Sequence, residues 1–262
     1  MQIPSLPNGC GVCQEPLGFD FTFAFQPIVD LASRSVFAYE ALVRGPKGEG
    51  AMAVLAQVTE RNRYRFDQGC RINSIFLAQR LGMKARISIN FLPNAVYQPE
   101  LCIRTTIAAA EAANFPLDQI IFEVTESEHI LEPEKLLSIF RYYRDRGFAT
   151  AIDDFGAGYA GLGLLTDFVP HIVKIDIKLV RDIDSNSVKQ AIVLGILLTM
   201  KKLGVLVIAE GVETGAEARW LLAHGVKLMQ GYYFARPGFE SLPDVANWDL
   251  DDAPREGPVT IA

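Results

Sequence analysis

Acidic and amide side chains recur where short β-rich runs of this sequence end. Glu40 lies in Tyr39-Glu40-Ala41-Leu42-Val43-Arg44 and Asn90 closes Ser88-Ile89-Asn90. Glu123 and Glu126 fall in Phe122-Glu123-Val124-Thr125-Glu126, and Asp153 and Asp154 open Asp153-Asp154-Phe155-Gly156. Lys174 and Asp176 share Lys174-Ile175-Asp176, Glu210 and Glu213 share Glu210-Gly211-Val212-Glu213, and Gln230 follows the last run. On one rim, Glu40, Glu123, Asp153, Asp154 and Glu210 would set five carboxylates against the ammonium of Lys174. Carboxylates crowded in this way either hold protons or bind cations. Two divalent ions would cancel the excess. Oxygen donors, with the Asn90 amide among them, select hard ions such as Mg²⁺, Mn²⁺ or Ca²⁺ over thiophilic metals. The adjacent Asp153-Asp154 pair suits a bridge between two ions, and ions about 3.5–4 Å apart stabilise the attacking and leaving oxygens of phosphoryl displacement. The chemistry indicated is metal-dependent hydrolysis of a phosphate ester or phosphodiester.

Singly, several of these acids have plainer readings. Glu126 or Glu128 could complete a helix capping box with Thr125 or Ser127. Asp153 or Asp154 could start the turn into Gly156, and Glu213 could sit in a first helical turn, where the dipole favours it. As a set they resist that treatment, because apolar strand ends do not need five acids. Gly156-Ala157-Gly158-Tyr159-Ala160-Gly161 also fits the dinucleotide fingerprint, with Asp176 twenty residues beyond Gly156. The carboxylates of Asp153 and Asp154 just before it would repel a pyrophosphate, and no second nucleotide-binding half is apparent. His129, His171 and His224 are scattered, which argues against a histidine-built centre.

The elements that must position these groups alternate. β-rich runs occur at 21–29, 36–43, 86–91, 120–124, 148–152, 171–175, 205–209 and 226–228, several dominated by Val, Ile, Phe and Tyr. Helical spacing lies between most of them: Leu101, Ala108, Ala112 and Phe115, then Leu136, Leu137, Phe140 and Tyr143 after Pro133. The pattern predicts an α/β fold, a TIM-like (β/α)8 barrel with the acids at its C-terminal face; a doubly wound open sheet is the runner-up. Only Asp30 to Ser35 join the first two runs, too few for a parallel crossover, so the first strand should be antiparallel.

The chain has 262 residues, 25 Lys+Arg against 31 Asp+Glu, and is half hydrophobic, a globular composition. Its mild acidity argues against DNA or RNA binding and against a polybasic membrane anchor. The first twenty residues lack Lys, Arg and a signal-type apolar stretch, so a cytoplasmic location is expected. The apolar run from Ala191 to Met200 is well short of the ~20 residues a spanning helix needs and is expected to be a buried helix. Cys10 and Cys13 have the spacing of half a zinc or redox site, but no second pair exists. A flexible leader (1–18), one barrel (19–248) and a flexible tail (249–262) are expected.

Phe25-Gln26-Pro27-Ile28, Glu40-Ala41-Leu42, Ser88-Ile89-Asn90, Phe122-Glu123-Val124-Thr125-Glu126, Asp153-Asp154-Phe155-Gly156-Ala157-Gly158, Lys174-Ile175-Asp176, Glu210-Gly211-Val212-Glu213-Thr214 and Gln230-Gly231-Tyr232 follow one another in a familiar order. Over about Phe21 to Phe239 the chain resembles the EAL-domain cyclic di-GMP phosphodiesterases of bacterial signalling. The resemblance implies a barrel with an antiparallel first strand and hydrolysis of cyclic di-GMP to linear pGpG. It implies one Mg²⁺ or Mn²⁺ held by Glu40, Asn90, Glu123 and Asp153 and another by Asp153, Asp154 and Glu210; Ca²⁺, whose larger and looser shell would misplace the nucleophile, should inhibit. Lys174 would position the attacking water, and Glu210 is often assigned as general base in the family. Gln26, Leu42 and Arg44 would contact substrate, Arg44 through a phosphate oxygen. Glu126 would couple the site to a homodimer interface, with Asp176, Glu213 and Gln230 in support. Where many members carry Ser-Ser-Leu-Ser, this chain has Ala160-Gly161-Leu162-Gly163. The alternative is a catalytically inactive member, a cyclic di-GMP receptor or protein-interaction domain; such members typically lack a ligand, and here every ligand position is filled. No sensory module precedes the barrel, so an unidentified sensory partner, or an excised fragment, is expected.

Overall fold

The computed structural model describes residues 17–96, 98–125, 133–158 and 161–250. Strands β1 (Thr22–Asp30), β2 (Ser35–Arg44), β3 (Arg86–Asn90), β4 (Ile120–Thr125), β5 (Ala149–Phe155), β6 (Ile172–Ile175), β7 (Leu206–Ala209) and β8 (Leu228–Met229) coincide with the eight runs read from the sequence, within a few residues at the ends. A short β9 (Gly238–Phe239), with no counterpart among those runs, pairs with β1. Helices α1 (Ala51–Leu55), α2 (Arg63–Arg80), α3 (Pro99–Ala113), α4 (Pro133–Asp145), α5 (Gly161–Asp167), α6 (Ile177–Val180), α7 (Ser187–Leu203) and α8 (Gly215–Ala223) lie between or beside them. β2 to β8 run parallel in order, and β1 closes the ring by pairing antiparallel with both β2 and β8. The sheet is therefore a closed barrel and not an open one.

The barrel interior is stacked in two layers with different chemistry. Ile28, Ala38, Ile121, Ala151, Ile172, Ile208 and Leu228 pack together in a buried apolar layer. Residues two apart share a face of a strand. Two positions further along β2, β4, β5 and β6, and just past β7 and β8, stand Glu40, Glu123, Asp153, Lys174, Glu210 and Gln230. β1 runs the other way, and Gln26 lies two residues before Ile28. Outside the barrel, side chains on the strands or next to their ends, such as Phe122, Phe91 and Phe148, pack against α2, α3 and α4 in a larger apolar cluster.

Two helices differ from the sequence reading. α2, the longest, was not legible because its buried face includes Asp67, Gln68, Arg71 and Ser74 beside Phe66, Ile72, Ile75 and Leu77, which blurs apolar periodicity. α7 is not the buried helix expected: only Val193 and Met200 are buried, and Val188, Ile192, Leu194, Leu198 and Leu203 are exposed. Among the described residues no helix is long and apolar enough to cross a membrane. Most of the expected leader and tail, with Cys10 and Cys13, lies outside the described residues.

The end of β8 meets the loop after β7 closely. Val212 N–H donates to the Gln230 carbonyl (3.0 Å), and a Cβ on Gly231 would lie 2.0 Å from the Val212 carbonyl oxygen. Gly231→Ala should therefore cost roughly 1–3 kcal/mol, read as a lower urea midpoint. An unchanged midpoint would show that the Val212 loop yields freely.

Candidate metal centre

Lys174 stands at the centre of the polar layer and is completely buried. Its Nζ lies 2.6 Å from Glu210 Oε1, 3.1 Å from Glu123 Oε2, 3.1 Å from Asp153 Oδ1 and 3.4 Å from Glu40 Oε2. Burial opposes its charge, but Asp153, Glu123, Glu210 and Glu40 outweigh that and hold the ammonium well above its ordinary range. The same crowding acts on the acids in the opposite sense. Burial first, then Glu40 and Asp153, push Glu123 up to about 8 despite Lys174. Burial and Asp153 with Glu40 hold Glu210 well above the carboxylate range. Asp154 rises to about 6 through burial, Asp153 and Asp176. Without cations these carboxyls retain protons they would otherwise lose.

The acids form two groups that share one member. Ligand oxygens of Glu40, Glu123 and Asp153 lie within 4.8 Å of one another, and so do those of Asp153, Asp154 and Glu210. Asp153 can belong to both because the chain turns sharply after it. Pairing of β5 with β6 is irregular between Ile152 and Phe155, and Asp154 adopts φ +54°, a left-handed conformation that Asp tolerates. The Asp154 N–H donates to Asp153 Oδ1 at 2.9 Å. Amide and hydroxyl donors fix the rest. Ser88 donates to Glu123, Asn90 Nδ2 to Glu40 Oε1 (3.0 Å) and Gln230 Nε2 to Glu40 Oε2 (2.8 Å). Gln26 Oε1 accepts from Gln230 at 3.2 Å, and Gln26 Nε2 donates to the Ala235 carbonyl. All-carboxylate oxygen groups with excess negative charge fit hard divalent cations.

A cavity of about 340 Å³ opens over this floor, lined by Gln26, Glu40, Asp154, Asp176, Glu210, Glu213 and Gln230, with Ile177, Gly211, Gly231 and Tyr232. Gln230 Oε1 is buried beside it with no hydrogen-bond partner among the described residues, an acceptor open to a ligand's donor. Asp176 caps α6, accepting from Lys178 N–H at 2.8 Å. Glu213 pairs with Arg181 at 2.5 Å. It precedes the N-cap Thr214 and so is not in a first helical turn; Glu217 completes that capping box. Leu42 and Arg44, at the end of β2, do not line the cavity, and Arg44 donates to its neighbour's carbonyl, Val43 O (2.8 Å). Glu126 lies outside the described residues. Sequence reasoning gave Ser88 no role, although it stands two places before Asn90 on the same face. Gly211 was also passed over: at φ +65°, its Cβ would fall 2.2 Å from Ile177.

A family model described as EAL domain matches residues 17–237. The chain is 32% identical over 225 residues to the blue light- and temperature-regulated antirepressor BluF of Escherichia coli (strain K12), covering 86% of this chain and 56% of that one. It is 29% identical over 240 residues to the same organism's "Probable cyclic di-GMP phosphodiesterase PdeN", covering 87% and 45%. The chain thus spans about half the length of these curated relatives. The crystal structure of a standalone versatile EAL protein from Vibrio cholerae O395, in its c-di-GMP-bound form, superposes with a TM-score of 0.87 at 52% identity, covering 91% of this chain and all of that one.

Protons and cations compete for the same oxygens. Apparent affinity for Mn²⁺ should therefore rise with pH through about 6, where Asp154 titrates, towards about 8, where Glu123 does. Calorimetric titration in buffers of different ionisation enthalpy should show protons released at neutral pH. An affinity constant across that range would place the ions elsewhere.

Proposed function

The chain belongs to the EAL-domain family, and from that premise we propose that it hydrolyses cyclic di-GMP to linear pGpG with two bound divalent cations. The carrying observation is the pair of carboxylate groups joined at Asp153, gathered around Lys174 beneath an open cavity. Glu40, Asn90, Glu123 and Asp153 would hold one Mg²⁺ or Mn²⁺ and Asp153, Asp154 and Glu210 the other. Such ions supply Lewis-acid polarisation of the phosphate and a water acidic enough to attack it.

The chain's own groups do the rest. Lys174 keeps its proton and sets Asp153 and Glu210 by contacts of 3.1 and 2.6 Å, while its charge favours the negative charge that builds during displacement. Glu210, held there, serves better as ligand than as general base. Gln230 and Gln26 form a short amide chain from Glu40 to the cavity wall, suited to hydrogen-bond the ligand. Leu42 and Arg44 extend the substrate surface along β2, with Arg44 turning from the Val43 carbonyl to a phosphate oxygen. Asp176 and Glu213 support the rim, and Glu126 the loop after β4. The free thiol of buried Cys70 suits a reducing compartment, here the cytoplasm. In this reading 19–248 is the catalytic unit.

We also propose a homodimer through α7. Val188, Ile192 and Leu198 make an exposed apolar stripe, 67%, 47% and 61% accessible. Gly195 lies among them with nothing within 4 Å of where its Cβ would be. A second α7 could approach closely across Gly195 in a self-complementary two-fold pair.

Purified protein with cyclic di-GMP and Mg²⁺ or Mn²⁺ should yield pGpG by chromatography; binding without product under either metal would favour the receptor reading. Ca²⁺ alone should not support turnover, because its larger, looser shell misplaces the reacting groups. Glu40→Ala should cost more than the roughly 10–100-fold typical of outer-shell changes at metal sites. Full activity in that variant would remove Glu40 from the centre. For the dimer, Leu198→Glu should convert the sedimenting species to monomer, and a wild-type protein already monomeric at high concentration would exclude the pairing.

A further inference from the structure

Among the described residues, one buried ion pair is not used by the proposed reaction. Asp67 and Arg71, one turn apart on α2, are 2% and 0% exposed. Arg71 Nη2 meets Asp67 Oδ2 at 2.5 Å, and Nη1 donates to the Tyr143 hydroxyl on α4 at 2.7 Å. The guanidinium carbon lies 5.6 Å from the Phe91 ring centroid and 5.3 Å from that of Phe122. These rings belong to the residues next to Asn90 and Glu123. The other oxygen of Asp67 accepts from the Leu92 N–H at 2.9 Å, which fixes the chain just beyond Asn90-Phe91. Asn90 and Glu123 are partners in the β3–β4 register, and the Phe91 N–H closes that pairing on the Glu123 carbonyl at 3.0 Å. The pair thus grips, from outside the barrel, the ends of both strands that carry these donors inward.

Stability alone is a poor account of it. Burying two charges costs several kcal/mol per ion, and a well-packed apolar replacement is often neutral or stabilising. Here the cost is not fully met, since Arg71 Nε has no hydrogen-bond partner among the described residues. What an apolar filling would not supply is directional hold on Leu92 and on the two rings at once. We propose that Asp67 and Arg71 are positioning residues of the metal centre, setting the Asn90 amide and the Glu123 carboxylate at the spacing a divalent cation requires. This rests on the metal-binding reading above.

The test is Mn²⁺ affinity, measured by calorimetry on protein shown to be folded by circular dichroism. In Asp67→Leu/Arg71→Met the charges go and the volume stays. The expected result is a folded protein whose Mn²⁺ affinity falls roughly 10–100-fold, the range for outer-shell changes. A folded double variant with wild-type affinity would overturn the proposal. Should that variant not fold, Tyr143→Phe removes only the hydroxyl that steers Arg71. A several-fold loss there supports the inference, and none refutes it. Adding Asn90→Ala gives a cycle: if the clamp acts through Asn90, the two losses combine to less than their sum, whereas additive losses count against it. Wild-type protein that binds no Mn²⁺ would sink the metal reading itself, an outcome distinct from all of these.

Discussion

A buried ammonium at the middle of a ring of carboxylates is the constraint on which this structure depends. Lys174 could not remain charged at full burial without Asp153, Glu123, Glu210 and Glu40, and an isolated ion there would cost many kcal/mol. The acids in turn could not be closed into one barrel mouth without that cation, and one cation is not enough for them. Glu123, Asp154 and Glu210 respond by holding protons more tightly than carboxylates ordinarily do. The floor of the barrel is therefore neutral enough to fold and acidic enough to exchange protons for metal.

Closure converts this chemistry into a register problem. The apolar interior layer and the charged layer are two residues apart on successive strands. Because strand side chains alternate faces, a slip of one residue would send a site residue outward and bring a neighbour in. The apolar layer works against such slips, since each would also exchange its side chains for those packed against the helices, Phe122 in place of Ile121 for example, and spoil the packing on both faces. β1 enters the barrel reversed, and its pairing with β2 sets Gln26 opposite Glu40. The fold thus uses ordinary hydrophobic burial below to hold the groups above, and the helices outside add a second grip on the strand ends.

That two-layer pattern is also why so much was legible in the sequence. Short β-rich runs ending in Glu, Asp, Asn or Lys gave the strands, their direction and the rim, and the short Asp30–Ser35 connection gave the reversed start. The unread parts share a physical cause: they depend on partners far away in the chain. α2 buries Asp67, Gln68, Arg71 and Ser74 among its apolar residues, which blurs the apolar spacing of its inner face, and no local signal says that Arg71 will meet Phe91, Phe122 and Tyr143. α7 was read as core because its composition is apolar nearly all round. Which face of such a helix is covered depends on what packs there: Val193 and Met200 are buried, Ile196 and Leu197 are partly so, and the rest of its apolar residues face outward. Glu217 takes the first-turn place that the sequence offered to Glu213, because helix starts are set by cap geometry and are read from sequence only to within a residue or two.

The loops that carry the acids are held more firmly than loops at a strand end need to be. Asp154 at φ +54° holds a conformation that persists, in a residue other than glycine, only where the surroundings over-determine it, whereas Gly211 takes φ +65° without strain and needs only to be held in place. At Asp154 the determinant is its own N–H on Asp153. Beyond Gly211 it is Glu217, whose carboxylate accepts from the N–H groups of Glu213 (2.9 Å), Thr214 (3.0 Å) and Asp182 (2.9 Å). One buried acid thereby ties the loop behind Glu210 to the segment that leads into α7. Such supports cost conformational entropy in the metal-free chain, and they remove the need to spend it when a ligand arrives. The carboxylates already stand within 4.8 Å of one another in each group, so a cation entering this barrel displaces protons without having to gather its donors.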